Sequence, residues 1–320
     1  MMNRKIPFIK GQMGGNEIVL LDGKSIPTKD RLEIGLTVLD PPSIRGHQAA
    51  LLYGDGVNRL RAEIISVSGR GFISSCGGLT QVLGKALVDT DISNRFKLGL
   101  DEPITAVELE TEAGLVPIIS EGQRIISVMT AFVEECYGLG VVPMQVAGVN
   151  VWRVGKVLVV DGAELREAYP EVTLDRFDDR TKTVLSRLQD DFHAAAFPGR
   201  DVGDFAVYDF RPAHSGDGRV IFPHKISAGH IEPSCGTGTV AVGIAIAEGG
   251  TPNPDQRELR LRFESGGDGS GIGGPDITEI WLTTDDNKRV MQVRFTHSDV
   301  DIIATGHAWT QTRKQSAKED

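Results

Sequence analysis

Cysteine is scarce in this sequence, which has three cysteines in 320 residues. Such an odd and low number argues against a disulfide framework and leaves reduced thiols available for chemistry. Long apolar runs are also lacking. The longest uninterrupted aliphatic stretch, residues 240–247, is far too short to span a bilayer, and the first residues contain no apolar signal core. We therefore expect a cytoplasmic protein without a membrane partner.

Blocks of like charge are missing too. The formal net charge is −10, and no basic stripe of the kind that binds nucleic acid is present. We therefore expect no nucleic-acid partner. An apolar content of 40% and a charged content of 24% are typical of a globular protein, and the length suits one very large domain or two ordinary ones.

One pattern occurs twice. SSCGGLTQVLGKAL (74–87) and PSCGTGTVAVGIAI (233–246) align without a gap and share Ser, Cys, Gly, Thr, Gly and Ala at matching positions. The two cysteines, Cys76 and Cys235, lie 159 positions apart (235 − 76). This spacing predicts a duplicated chain in which each half contributes one thiol.

A weaker pair of segments supports duplication. NEIVLLDG (16–23) resembles GKVLVVDG (155–162), and their offset of 139 (161 − 22) is 20 shorter than that of the cysteines. The second half would therefore carry an insertion, which would include a predicted helix at 180–197. Turn and linker signals at 138–148 place the boundary between an N-terminal half, 1–145, with the Cys76 motif and a C-terminal half, 146–320, with the Cys235 motif.

Most of the remaining chain is predicted as short strands and turns. Residues 107–119 form a hairpin candidate, and helices are expected directly after both cysteines. A glycine-rich stretch, 264–275, is predicted as a flexible hairpin loop, because a strand follows it where a dinucleotide loop needs a helix. The further predicted strands are 123–133, 155–162, 259–263, 278–284 and 291–297.

The cysteine motifs combine an acid–base group with an anion site. The first N–H groups of a helix have no intrahelical partner, and glycines at the helix start let an anion approach them. The positive end of the helix dipole favours a carboxylate and a thiolate. Residues 79–88 and 239–248 are apolar nearly all round, which predicts buried helices. Gly84 and Gly243, at matching places, would let neighbouring elements pack closely.

Two such helix starts facing each other would hold a small acid between two thiols. One thiolate would remove the proton beside the carboxylate, and the opposite thiol would return a proton to the other face. This chemistry inverts a stereocentre and needs no cofactor. The base must titrate near the working pH, and we expect the position at the start of a buried helix to tune it.

A family resemblance agrees with this chemistry. PSCGTGT (233–239) closely resembles the second cysteine motif of the cofactor-independent two-cysteine racemases, which include proline racemase and diaminopimelate epimerase, and SSCGG (74–78) resembles the first. RGHQAALLYG (45–54), 107–117 and 126–133 are similar to proline racemase segments, and 8–23 is similar to the diaminopimelate epimerase opening. The resemblance implies an α+β, diaminopimelate epimerase-like fold, with two pseudo-symmetric halves that each wrap a curved, mostly antiparallel sheet around a central apolar helix.

The sequence departs from that family at three places. Gly78 stands where proline racemases usually have histidine, and Ile231-Glu232-Pro233-Ser234 replaces Asp-Arg-Ser-Pro. The arginine that holds a carboxylate in diaminopimelate epimerases has no clear counterpart. The resemblance therefore supports the fold and the mechanism better than it supports any particular substrate.

Candidate site residues follow from the motifs and the resemblance. We expect Cys76 and Cys235 to be the catalytic pair, and Asn16 to bind substrate through the resemblance alone. His47 either positions the substrate or is a satisfied histidine beneath the site. His224 either reaches the cleft or lies in a solvated turn, and Glu232 either binds a substrate ammonium or has a capping or surface role. Substrate carboxylate would rest on the N–H groups of Gly77, Gly78, Gly236, Thr237, Gly238 and Thr239.

The predicted function is inversion at the α-carbon of an amino or imino acid, without cofactor or metal. Alternatives on the same fold are double-bond isomerisation of a small di- or tricarboxylic acid, hydroxyproline dehydration, and non-catalytic binding of a small molecule. A zinc site of Cys76, Cys235, His224 and His230 is disfavoured because the cysteines lack CxxC spacing. Cys136 is predicted to be structural, following a strand. The sequence leaves a homodimer open.

Overall fold

The structure is a computed structural model that describes residues 2–56, 58–101, 103–174, 178–198, 204–211, 215–226, 230–250, 257–265 and 276–312. It consists of strands that form a mixed sheet system and of helices packed against them. In the described residues, no helix is long and apolar enough to cross a membrane.

The strands before residue 147, apart from the last of them, form a connected set. β1 pairs antiparallel with β2, which runs parallel to β3, and β3 continues through β4 to a parallel β6. The hairpin of β6 and β7 and the pairing of β7 with β8 complete the set. These strands are β1 Met2–Met13, β2 Asn16–Asp22, β3 Gln48–Gly56, β4 Arg59–Ser66, β5 Gly71–Ile73, β6 Ala106–Thr111, β7 Gly114–Glu121, β8 Arg124–Val128 and β9 Val141–Val146.

The strands after residue 147, again apart from the last of them, form a second set. β10 pairs antiparallel with β11, which runs parallel to β12, and β12 continues through β13 to a parallel β15. Antiparallel pairings then join β15, β16 and β17. These strands are β10 Val149–Val154, β11 Val157–Asp161, β12 Asp204–Asp209, β13 Gly218–Ile226, β14 His230–Glu232, β15 Glu258–Glu264, β16 Ile277–Thr284, β17 Val290–His297 and β18 Val300–Thr312.

Strand pairing crosses the predicted boundary in three places. β18 pairs with β1 along its length, β9 pairs with β10, and a short ladder joins β8 to β17. The linker expected at 138–148 is wrong, because this segment is mostly strand β9 and its turn into β10. Ala147 and Gly148 both have positive φ, 52° and 80°, which is the geometry of a two-residue hairpin turn. The position of the domain boundary stays a prediction.

The helices lie between these strands and over their faces. The two that follow the cysteines begin at Gly77 and Gly236, as predicted. The long helix predicted at 180–197 is also confirmed. The helices are α1 Arg31–Leu39, α2 Gly77–Asp89, α3 Ile92–Arg95, α4 Thr130–Leu139, α5 Gly162–Ala168, α6 Asp179–Ala196 and α7 Gly236–Gly250.

Helices α2 and α7 are each enclosed by strands. α2 contacts β1, β2, β7, β8 and β18, and α7 contacts β10, β11, β12, β16 and β17. Glycine allows this close packing, because a Cβ on Gly84 would lie 2.4 Å from Ile125 and a Cβ on Gly243 would lie 2.6 Å from Ile280. Burial on all sides explains why both helices are apolar nearly all round.

One secondary-structure prediction is wrong. Residues 123–133 were expected to be a strand, but β8 ends at Val128 and α4 begins at Thr130. Met129, Phe132, Val133 and Cys136 are buried, and their spacing of three, one and three is the helical period. Cys136 therefore lies within a helix and does not follow a strand. Residues 266–275 of the predicted flexible loop lie outside the described residues, although β15 and β16 on its two sides do pair as a hairpin.

Candidate active site

The first residues of α2 and α7 touch each other. A Cβ on Gly77 would lie 2.7 Å from Gly236 Cα and 3.0 Å from the Thr237 nitrogen. A Cβ on Gly236 would in turn lie 2.8 Å from Gly77 Cα. Since side chains cannot be accommodated at these distances, glycine at both positions is what allows the two helix N-termini to meet.

A cysteine precedes each of these helix starts. Cys76 Sγ accepts a hydrogen bond from the Leu79 N–H at 3.4 Å, and Cys235 Sγ accepts one from the Gly238 N–H at 3.4 Å. Each thiol therefore caps its own helix in the same way, three residues ahead of the donor. Both are buried, with 8% and 7% of their surface exposed, and both are free of disulfides.

Several backbone N–H donors lie where α2 and α7 begin. Gly77, Gly78, Gly236 and Thr237 provide first-turn N–H groups, which have no intrahelical acceptor. The Thr239 N–H differs from our expectation, because it already donates to the Cys235 carbonyl at 3.0 Å. Thr239 therefore adds no N–H to the anion site, and its hydroxyl also bonds the Cys235 carbonyl.

The electrostatics of the two thiols also differ from expectation. Burial raises the pKa of Cys76 to about 12. Burial, followed by the charges of Glu232 and Asp204, raises the pKa of Cys235 well above its usual range. The helix N–H groups oppose these effects without overcoming them. Both cysteines are therefore neutral thiols in the unliganded protein, and neither titrates near neutral pH.

Asn16 links β2 to the segment before Cys235. Its Nδ2 donates to Glu232 Oε1 at 2.6 Å and to the Ser234 carbonyl at 2.9 Å. Because both partners are acceptors, the amide orientation is determined, and Oδ1 is the free end. Asn16 Oδ1 and Ser234 Oγ are both buried without a hydrogen-bond partner. Buried polar atoms without a partner are rare in proteins, so Asn16 Oδ1 and Ser234 Oγ are candidates for binding a ligand.

His47 lies beside this cluster. Its Nδ1 accepts the Glu17 N–H at 3.0 Å, so the neutral ring carries its proton on Nε2. Burial lowers the pKa of His47, and the charge of Glu232 partly opposes the shift. His47 is thus a neutral histidine with an Nε2–H donor close enough to sense Glu232, which is compatible with both of its predicted roles.

The side chains of two predicted ligand residues are not among the described parts of the structure. His224 lies in β13 and His230 in β14, but their side chains are outside the described part of the chain. The substrate-binding role of His224 stays a prediction, and the zinc alternative is untested. Among the residues that are described, no three of His, Cys, Asp and Glu cluster as metal ligands.

Gln48 is a site residue that the sequence reasoning missed. It pairs in register with Ile18, and Ile18 Cδ1 would lie 3.3 Å from a Cβ on Gly78. Ile18 and Ala50 both pack in the core around α2. Since side chains alternate along a strand, Gln48 faces α2 beside Gly78. Its Oε1 is buried and unpartnered. A polar residue at a core position of an apolar strand was the available signal.

His297 was also missed. Asp299 N–H donates to its Nδ1 at 3.0 Å, and its Nε2 lies 3.2 Å from Ser265 Oγ. A Cβ on Gly14 would lie 2.7 Å from the ring and 3.0 Å from Ser234 Cβ, which places the histidine next to the site. Burial lowers the pKa of His297 to about 4, so the ring is neutral.

Comparison with known proteins identifies the fold. No family model and no curated protein sequence matches the chain. Solved structures do match, among them a hydroxyproline epimerase from Agrobacterium vitis with bound trans-4-hydroxy-L-proline (TM-score 0.61, 16% identity, 96% of this chain and 93% of that one). This chain has the α+β fold of these structures. A methylitaconate-delta-isomerase (TM-score 0.57, 14% identity, 99% and 100% covered) and a phenazine biosynthesis PhzF family protein from Enterococcus faecalis (0.55, 12%, 96% and 100%) are similar along their whole lengths.

Proposed function

We propose that this protein is a cofactor-independent isomerase of the proline racemase and PhzF superfamily that inverts the α-carbon of an amino or imino acid. The observation that carries the proposal is the contact between Gly77 and Gly236, which brings two helix N-termini, each preceded by a buried cysteine, to one point. A substrate bound there has a thiol group on each side. Known structures of this fold include a hydroxyproline epimerase and a methylitaconate isomerase.

The helix starts would hold the substrate carboxylate. The N–H groups of Gly77, Gly78, Gly236 and Thr237 lie at the positive ends of two helix dipoles, which favours an anion. This placement leaves the α-carbon between Cys76 and Cys235. One sulfur, as thiolate, takes the α-proton and becomes a thiol, and the opposite thiol gives its proton to the other face and becomes a thiolate. The next turnover runs in reverse or follows proton exchange with water.

The acceptors beside the helix starts would hold the substrate nitrogen. Asn16 Oδ1 is a buried acceptor without a partner, and Glu232 is bonded to the same side chain. An ammonium group would donate to Asn16 Oδ1 and place a positive charge beside Glu232. A second carboxylate would be repelled there, so the arrangement favours an amino or imino acid over a di- or tricarboxylic acid.

Substrate binding would also activate the thiols. The negative charge of Glu232 contributes to the raised pKa of both cysteines. A positive charge placed next to Glu232 offsets that contribution, and the pKa of the thiols falls. Both thiols would thus ionise more readily with a zwitterionic substrate bound than without it, although burial would still keep their pKa above the usual value.

Isotope exchange tests the proposal. Both enantiomers of the common amino acids, proline, 4-hydroxyproline and diaminopimelate are incubated with the protein in D₂O and followed by ¹H NMR. We expect α-deuterium uptake together with inversion for one substrate class. The matched variants Cys76→Ser and Cys235→Ser should each abolish inversion, while Cys136→Ser should leave it intact. Full turnover by Cys235→Ser in both directions would show that the two-thiol mechanism is wrong.

Non-catalytic binding of a small zwitterion is the second candidate. The raised pKa of both thiols favours it, because neutral thiols are poor bases. The two functions differ in the pH dependence of thiol alkylation when ligand is present. A binding protein keeps both thiols unreactive in its complex, whereas the isomerase shows a lowered pKa for one of them.

We also propose that the chain is a duplicated, diaminopimelate epimerase-like pair of pseudo-symmetric halves. The pairing order β1 to β4, β6, β7 and β8 corresponds to β10 to β13, β15, β16 and β17, each with parallel pairs at the same two steps. Helices α2 and α7 occupy matching places, and α6 supplies the extra length of the second half. Since β18 pairs with β1 and β9 with β10, each half would lend its last strand to the other.

A further inference from the structure

A directional chain of hydrogen bonds starts at Gln81 and ends at the first residue of α2. Gln81 is fully buried, and its Nε2 donates to Ser127 Oγ at 2.7 Å. The Ser127 hydroxyl donates to Thr80 Oγ1 at 2.7 Å, and the Thr80 hydroxyl donates to the Gly77 carbonyl at 2.7 Å. The amide nitrogen can only donate and the Gly77 carbonyl can only accept, and each hydroxyl between them donates once, so the orientation of the whole chain is determined.

The same amide also binds the backbone of β17. Gln81 Oε1 accepts the His297 N–H at 3.3 Å, and Nε2 lies 3.4 Å from the Phe295 carbonyl. Phe295 is paired with Ser127 in the short ladder between β8 and β17. The Gln81 side-chain amide therefore hydrogen-bonds to the β17 backbone as a peptide group of a neighbouring strand would. In this way it joins α2 to a strand of the second set.

Strand β17 in turn contacts the start of α7. A Cβ on Gly236 would lie 2.8 Å from Phe295 Cζ, so the ring packs against the first residue of that helix. Gln81 thus connects to Gly77 through two hydroxyls and to Gly236 through Phe295. These are the two residues at which the helix N-termini meet.

This arrangement is absent from the other copy of the motif. The position equivalent to Gln81 is Val240, which carries no hydrogen-bonding group, and Thr239 bonds directly to the Cys235 carbonyl. The duplicated motif therefore does not require an amide here. A buried, bonded glutamine in one copy indicates a role at the contact between the copies.

We propose that Gln81 is a positioning residue that keeps the N-terminus of α2 aligned with that of α7, so that Cys76 and Cys235 face the same substrate carbon. The catalytic part of this inference rests on the proposed function, and the structural part does not. Gln81 touches neither thiol and acts through Thr80, Ser127 and Phe295.

The first test does not depend on activity. Gln81→Met keeps the length of the side chain and removes its hydrogen bonds, and Gln189→Met makes the same change at a buried glutamine of α6. Backbone amide NMR shifts and hydrogen exchange are measured for wild type and both variants. We expect Gln81→Met to shift the amides of Gly77 and Gly236 and to deprotect the His297 amide, and Gln189→Met to change none of these three. Unchanged Gly236 and Thr237 amides in folded Gln81→Met would overturn the proposal.

The second test separates positioning from loss of stability. In D₂O, a displaced Cys76 leaves proton removal by Cys235 possible while delivery to the opposite face fails. We expect inversion by Gln81→Met to fall by on the order of 10- to 100-fold, as small displacements of reacting groups do, while exchange with retention persists for one enantiomer and KM changes little. A parallel loss of exchange and inversion, at unchanged thermal stability, would contradict the alignment role. If wild type exchanges no α-proton but the amide shifts appear, the proposed function fails and the alignment of the helices by Gln81 stands.

Discussion

Gly77 and Gly236 are in van der Waals contact through their backbones, at the point where α2 and α7 begin. The two glycines lie 159 positions apart in the sequence (236 − 77), and each directly follows one of the two site cysteines. The close approach of the two helix starts therefore depends on the absence of two side chains, and substitutions at these glycines should disturb the site more than the rest of the fold.

Gly77→Ala should damage the site. The new Cβ would lie 2.7 Å from Gly236 Cα and 3.0 Å from the Thr237 nitrogen, and neither backbone group can move aside without moving α7. Overpacking of this kind costs about 1–3 kcal/mol. We expect a lower midpoint in urea unfolding and loss of ligand binding at the helix starts.

Gly138→Ala is the matched control for that substitution. Gly138 lies in α4, and a Cβ on it would have no neighbouring atom within 4 Å. Alanine is the better helix former, so this change should stabilise the protein by at most about 1 kcal/mol. Equal effects of the two substitutions on stability and binding would contradict the close contact at Gly77.

Ser234→Ala should stabilise the folded protein and weaken ligand binding. The Ser234 hydroxyl is buried without a partner, and an unsatisfied buried hydroxyl is destabilising. Its removal should raise the unfolding free energy of the unliganded protein by about 1 kcal/mol. If the hydroxyl binds ligand, the same variant should bind it more weakly, as calorimetric titration would show.

Ser127→Ala provides the contrast. The Ser127 hydroxyl accepts from Gln81 and donates to Thr80, so its removal takes one buried acceptor from the Gln81 amide and one buried donor from the Thr80 hydroxyl. We expect destabilisation by about 1–3 kcal/mol. Opposite signs for the two serine variants are the diagnostic outcome, and destabilisation of similar size in both would show that Ser234 is satisfied in solution.

Local patterns in the sequence were enough to predict much of this molecule. The starts of α2 and α7, the 107–119 hairpin and the α6 helix all follow from glycine placement or from the period of apolar residues. The α4 helix was missed because its apolar spacing follows directly after a true strand, β8. Here the helical period of Phe132, Val133 and Cys136 was outweighed by the β-branched residues before it.

The rest of the site depends on contacts between distant residues. Asn16 meets Glu232 across 216 positions, and Gln81 meets His297 across 216. No local spacing predicts such pairs. The raised pKa of both thiols was missed for the same reason. Its causes are burial and the charge of Glu232, and the extent of burial depends on how the two strand sets enclose the helices.

Asn16→Asp should introduce a pH-dependent loss of stability. The new carboxyl would face Glu232 Oε1 and the Ser234 carbonyl, the acceptors that the Asn16 amide now contacts. Burial and Glu232 would raise its pKa above the unfolded value of about 3.9. The protonated carboxyl can donate as the amide does, so the penalty is small in acid. It grows as pH rises from the unfolded pKa to the folded pKa, because over that range the unfolded state has released a proton that the folded state still binds, and it then stays constant.

Urea unfolding at about pH 5 and about pH 8 measures this difference. Asn16→Ala is the control, since it removes the same hydrogen bonds without adding a titrating group. Its penalty should be the same at both pH values. An Asn16→Asp penalty that is independent of pH, or larger in acid, would show that residue 16 does not face acceptors.

Glu232→Gln should make both site thiols more reactive. The Glu232 carboxylate raises the pKa of Cys76 and Cys235, and glutamine removes the charge while keeping an acceptor for Asn16. The pKa of each thiol should fall, though burial keeps it above the usual value. Since thiolate is the reactive form, iodoacetamide labelling at a fixed pH below the pKa should accelerate, and the profile of rate against pH should shift to lower pH without changing shape.

Cys136 is the internal control, because burial and Glu135 raise its pKa to about 12 without a contribution from Glu232. Peptide mass spectrometry distinguishes the three cysteines, and a Cys235 profile that stays in place, or moves together with that of Cys136, would show that Glu232 does not govern the chemistry of the site.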